Sequence, residues 1–158
     1  MTDTDETTGT FVVTHADEDT AVLRDVDAGQ VHTLGENPGV ETGDVLEATL
    51  ATEPPMEVTW TVRTIDARRH VTVEESPEPP TTQERDIAAE QSVGEVTRRE
   101  RAGKGEIHVI SVPESETTAA VEDVLGDDET LARAARMPAV TRVEVRSEPG
   151  LVSVRYLP

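Results

Sequence analysis

Cysteine is absent from this 158-residue chain, which removes disulfides, thiolate metal sites and cysteine nucleophiles together. Lysine is nearly absent as well: of 14 basic residues, only Lys104 is not arginine. The aromatics are Phe11, Trp60 and Tyr156, too few to build a platform for stacked bases. No apolar run approaches the length of a membrane span, and the opening MTDTDETTGT has neither the basic nor the apolar part of a signal peptide. Also missing are G-x-S-x-G, H-E-x-x-H and G-x-G-x-x-G. These absences predict a soluble, cytoplasmic protein that is not an enzyme, carries no cofactor and has no catalytic or metal-ligating set.

What the chain does have is acid. Its 33 carboxylates against 14 bases give a net charge of −19. Self-repulsion on that scale is tolerable where salt screens it, at a Debye length of about 3 Å in 1 M salt, so the acidity describes the solvent more than the partner. Leucine, isoleucine, valine and phenylalanine make up little more than a fifth of the residues, and valine dominates them. That is just enough for folding if the pattern is regular, and it is.

Residues 1–8 read as a disordered tail. From Gly9 the pattern is β: Thr10–His15, Ala21–Asp25 and Gln30–Leu34 form a meander, and Gly35–Gly43 leads to Asp44–Leu50. Met56–Ile65 alternates, with Met56, Val58, Trp60 and Val62 on one face. Asp66–Arg69 reads as a turn into His70–Glu74. Six short antiparallel strands without a helix predict a small β-barrel, OB-like or SH3-like, over 9–75. Glu74–Pro80 (EESPEPP) is a stiff acidic boundary, giving a linker at 76–80. Charge shifts across it: 18 acids and four bases up to residue 80, then 15 and ten.

Residues 81–158 predict an α+β sandwich in the order αββααββ, with a four-stranded antiparallel sheet and its helices on one face. Thr81-x-x-Glu84 is a capping box that starts the first helix, which runs to about Ser92. Glu95–Arg101 and Glu106–Val112 form a hairpin about Ala102-Gly103-Lys104-Gly105, and the second of these strands is apolar on both faces. Helices follow over Glu116–Leu125 and after Gly126-Asp127-Asp128. Thr141–Arg146 and Leu151–Leu157 flank a turn at Glu148-Pro149-Gly150.

Over its whole length the chain resembles an uncharacterised family of small acidic proteins from halophilic archaea, on THADEDTAVLRDVDAGQVHTL, EPPMEVTW, PEPPTTQ, GEVTRRERAGKGEIHV and VSVRYLP. The resemblance implies a salt-rich origin and brings no activity with it. Asn37–Leu50 (NPGVETGDVLEATL) is similar to the loop and strand of TRAM and other OB-like RNA-binding barrels. Leu131–Leu157 is similar to the helix and hairpin of ferredoxin-like domains, whose metal-binding versions carry paired cysteines that are absent here.

The sharpest candidate site is the hairpin. Arg98, Arg99, Arg101 and Lys104, with the one acid Glu100 among them, put a local charge of +3 on an otherwise acidic molecule. Arginine forks hold phosphates bidentately, and the glycines let backbone amides approach. The structural alternative pairs these cations with Glu95, Glu100, Glu106 or acids of the first unit. His15, Asp17 and Asp19 are the nearest approach to a metal set, without a second histidine at ligand spacing. The expected function is a non-catalytic adaptor for a protein or ribonucleoprotein partner. The alternative is direct RNA binding by the barrel face and the hairpin, along a basic stripe reaching Arg63, Arg68 and Arg69. An adaptor would instead show isolated arginines beside exposed apolar side chains.

Overall fold

A computed structural model describes residues 5–56, 58–101 and 103–158. The described residues are mostly β, with two sheets and three α-helices among them. It divides into two compact units, Met1–Val71 with Leu131–Arg136, and Thr72–Thr130 with Met137–Pro158. Among the described residues no helix is long and apolar enough to cross a membrane.

The first unit holds β1 (Glu6–Ala16), β2 (Ala21–Asp25), β3 (Val31–Leu34), β4 (Asp44–Thr52) and β5 (Trp60–His70). Antiparallel pairings join β1 to β2 and β4, β2 to β3, and β4 to β5. One parallel bridge, Leu34 to Trp60, connects β3 to β5, so the pairings run in a ring. Phe11, Leu23, Leu34, Leu46 and Leu50 are fully buried at its centre, with Trp60 and Val62 packed against them. Alternation along each strand turns those residues to one side.

Several expectations change here. The tail assigned to residues 1–8 is partly strand, because Glu6, Thr7 and Thr8 pair with Ala51, Leu50 and Thr49; residues 1–4 lie outside the described residues. The strand expected from Met56 begins at Trp60, and Met56 and Val58 are 75% and 71% exposed. The turn expected over Asp66–Arg69 is continuous strand. β5 has two more residues than β4, and Arg63 and Asp66 are left out of the register between them. Such bulges interrupt the side-chain alternation, and in sequence they read as a turn. The first sheet therefore has five strands rather than six, and its β3–β5 link is parallel.

In the second unit come β6 (Thr72–Glu75), α1 (Thr82–Ala89), β7 (Val96–Glu100), β8 (Glu106–Ser111), α2 (Thr117–Gly126), the start of α3 (Asp128–Arg136), β9 (Arg142–Glu148) and β10 (Leu151–Leu157). The sheet order is β6-β9-β10-β8-β7. It has five strands rather than the expected four, and it is not wholly antiparallel, because β6 joins β9 in parallel. The acidic Pro-rich stretch is not a free linker. Ser76 N–H donates to Val145 O at 2.8 Å, Arg146 donates to Pro79 O at 3.3 Å, and the Arg146 guanidinium lies 2.8 Å from the Glu78 carboxylate. Once β6 is in the sheet, the prolines and acids after it run alongside β9. On one face of the sheet Ile107, Val109 and Leu151 pack beneath Ile87 and Ala88 of α1. α2 packs against β9, β10 and β6.

Candidate functional site

The hairpin singled out in the sequence forms the edge of the second sheet. Among the described residues β7 pairs only with β8, in a register that sets Arg98 opposite His108 and Arg99 opposite Ile107. Its turn depends on Gly105. That residue has φ +97°, and a Cβ there would lie 2.0 Å from the Tyr156 carbonyl, so no side chain fits. Arg101 closes the turn, its backbone N–H donating to Gly105 O at 3.1 Å and its guanidinium to Lys104 O at 2.7 Å. Arg101 is thus half-buried and engaged, whereas Arg98, Arg99 and Lys104 are exposed. Arg99 makes one 3.3 Å bond, to the carbonyl of Arg98.

Among the described residues, none of these four cations meets a carboxylate, although 33 acids are available in the chain. Elsewhere arginines are paired: Arg68 with Asp44, Arg85 with Glu148, Arg146 with Glu78 and Glu144, Arg155 with Glu84 and Glu144. Val93 and Val96, at the start of the same edge, are 65% and 48% exposed.

Two supports behind this edge are not evident from the sequence. Gln91, just past α1, donates to Val109 O at 3.0 Å and Ser111 Oγ at 2.9 Å while accepting from the Thr97 hydroxyl, tying the helix end to β7 and β8. Nothing in its sequence context distinguishes it from other surface glutamines. The second support is Glu84. Its capping role is legible in the spacing, and the box forms: Glu84 N–H donates to Thr81 Oγ1 at 3.2 Å, and Thr81 N–H donates to Glu84 at 2.9 Å. The same carboxylate is fully buried and accepts from Ser153, with Arg155 3.3 Å away. Burial alone would raise its pKa. The Ser153 hydroxyl, the Thr81 N–H and the charge of Arg155 outweigh burial and hold it below the usual glutamate value. Arg155 Nε sits 3.5 Å from Glu144, an ion contact too long for a hydrogen bond. Beside α1 lies an open groove of about 410 Å³, lined in part by Arg85, Val93, Val112, Pro113, Glu148 and Leu151.

A model of a family of unknown function, DUF5812, matches residues 7–147, a span that includes the whole hairpin, Gln91 and Glu84. The chain belongs to the DUF5812 family. No curated protein and no solved structure matches it. Membership of DUF5812 brings no chemistry with it.

Elsewhere, Glu41, Asp44 and His70 are close enough to share a cation. Asp44 is buried, however, and its oxygens are occupied: Glu41 N–H donates at 2.9 Å, Arg68 at 2.6 Å and His70 Nδ1 at 2.7 Å. A guanidinium already supplies the positive charge there, so this is a structural knot closing the Gly39–Asp44 loop onto β5. Asp17, the central member of the His15-Asp17-Asp19 set, accepts the N–H groups of Asp19 and Thr20 at 2.9 and 2.8 Å and shapes its own turn. Arg69 donates to the carbonyls of Ala134 and Ala135 at 3.3 and 2.9 Å, and Arg136 donates to Val26 O at 2.8 Å, which ties the end of α3 to β5 and to Val26 within the first unit.

Proposed function

We propose that this protein is a non-catalytic interaction module that binds an anionic protein or ribonucleoprotein partner through the β7–β8 hairpin. The observation that carries this reading is the state of Arg98, Arg99 and Lys104: exposed and, among the described residues, without a carboxylate, in a chain of net charge −19. A fold with acids to spare gains nothing internally from leaving these cations open. The exposed Val93 and Val96 beside them add apolar contact, the combination expected of a protein-binding surface. The first sheet reads as a small OB-like or SH3-like barrel, supported by its ring of pairings, and the acidic surface suits a salt-rich cytoplasm.

Direct RNA binding finds less support. It calls on Arg63, Arg68 and Arg69; Arg63 is exposed, but Arg68 and Arg69 are both held by internal acceptors. Phe11 and Tyr156 are buried, which leaves no aromatic platform between them.

The test is affinity capture in concentrated salt with tagged wild type beside the Arg98→Ala/Arg99→Ala/Lys104→Ala variant, each with and without nuclease. The expected result is a protein partner that survives nuclease and is lost with the substitutions. Identical captures from both proteins would retire the hairpin as a site, and partners lost to nuclease alone would return the reading to RNA.

A further inference from the structure

The backbone of β7 specifies how a partner would be held. Ser111 N–H donates to Glu95 O and Arg101 N–H donates to Gly105 O, each at 3.1 Å. Between them the register pairs Thr97 with Val109 and Arg99 with Ile107. Antiparallel ladders alternate bonded and non-bonded pairs. Glu95, Thr97, Arg99 and Arg101 therefore direct their backbone groups at β8, while Val96, Arg98 and Glu100 direct theirs away from the sheet. No strand lies beyond β7 among the described residues.

We infer that β7 takes up an extended acidic segment of a partner polypeptide as a further strand of the sheet. The inference rests on the interaction reading above and names its mode and ligand class. Backbone bonds to Val96, Arg98 and Glu100 give affinity that salt screens weakly, and the flanking side chains give selectivity. Thr97 reaches Gln91 behind α1, so Thr97 and Arg99 face the helix side, and Val96 and Arg98 face the other. Running antiparallel to β7, the incoming strand meets Arg99, Arg98, Thr97 and Val96 in turn. Its complementary reading is acid, acid, any residue, apolar, with further acid before it near Lys104. A second copy of this chain is the poorer occupant. Full two-fold overlap sets Arg98 against Arg98 and Val96 against Glu100, and like charges directly opposite destabilise a ladder.

The test uses the full chain and a short synthetic peptide repeating Asp-Glu-Thr-Val, followed by fluorescence anisotropy. N-methylation of the Glu and Val positions, opposite Arg98 and Val96, removes the donors aimed at β7. Methylation of the Asp and Thr positions removes donors aimed away. The first is expected to weaken binding at least tenfold and the second to leave it nearly unchanged. Val96→Pro deletes an outward N–H while keeping every cation, and is expected to weaken binding at least tenfold with an unchanged circular dichroism spectrum. If both methylated peptides bind as tightly as the parent, charge alone holds the ligand and strand addition is wrong, although hairpin-dependent capture would still stand. Strand addition is equally wrong if wild type binds none of the peptides while capture still depends on Arg98 and Arg99. A dimer by light scattering that Val96→Pro dissociates would replace the foreign segment with a second copy.

Discussion

Ser153, in the middle of β10, donates its hydroxyl to the carboxylate of Glu84, the residue that also completes the N-terminal cap of α1. One side chain thereby starts a helix and fastens it to the sheet whose far edge is β7. Replacing it with alanine removes both roles and leaves Arg155, largely buried, without that anion. Glu84→Ala is expected to cost about 3–5 kcal/mol in urea unfolding, the range for breaking a buried pair. The pH dependence has a definite sign. Because the folded carboxyl lies below its ordinary value near 4.5, its contribution is complete above that value and disappears as pH falls through the folded one. Glu84→Gln should flatten stability across that acid window and leave its slope near neutrality unchanged.

His32 makes the opposite case. It is buried edge-on between Phe11 and Trp60, at ring separations of 5.5 and 4.6 Å, with neither ring nitrogen hydrogen-bonded among the described residues. Burial lowers its pKa from 6.5, against a weaker pull upward from Asp25. The unfolded chain then takes up the proton first, so stability should fall as pH drops below about 6.5, by up to about 1.4 kcal/mol per unit. His32→Leu is expected to remove that dependence and to gain about 1 kcal/mol at neutral pH by deleting unsatisfied polar atoms. Denaturation at pH 7.5 and 5.5 checks both statements.

The hairpin turn offers a matched pair. Gly103 and Gly105 both have positive φ, but a Cβ meets nothing within 4 Å at Gly103 and meets the Tyr156 carbonyl at Gly105. Gly103→Ala should cost about 1 kcal/mol of backbone strain. Gly105→Ala should cost about 3 kcal/mol or more, because strain and overlap combine. Equal melting temperatures for the two variants would contradict the assigned geometry of the turn.

What was legible in the sequence follows from range. The capping box, the hairpin and the Glu148-Pro149-Gly150 turn are local patterns, and each forms where the spacing put it. The two bulges of β5 are not local in that sense: Arg63 and Asp66 gain meaning only from what β4 pairs with. The parallel placement of β6 beside β9 joins residues some seventy positions apart, and no periodicity announces it. At the site, sequence singled out four cations, but only the fold separates Arg101, bound into its turn, from Arg98, Arg99 and Lys104. The second role of Glu84 was hidden for the same reason, since Ser153 and Arg155 reach it from the other end of the unit.

Six residues of α3, Leu131–Arg136, complete a unit whose remaining residues all precede Thr72. On the ribosome, the first unit is therefore expected to be complete only when this last piece emerges. At about 5–20 residues per second, the wait after Val71 emerges lasts on the order of several seconds. Until then Arg69 has no Ala134 and Ala135 carbonyls to hold, and Val26 lacks the guanidinium of Arg136. A nascent chain arrested before residue 131 has emerged should be cut by protease within 5–71 far more readily than one arrested after residue 136 has emerged. The order of translation would then set when the amino-terminal half becomes safe from degradation.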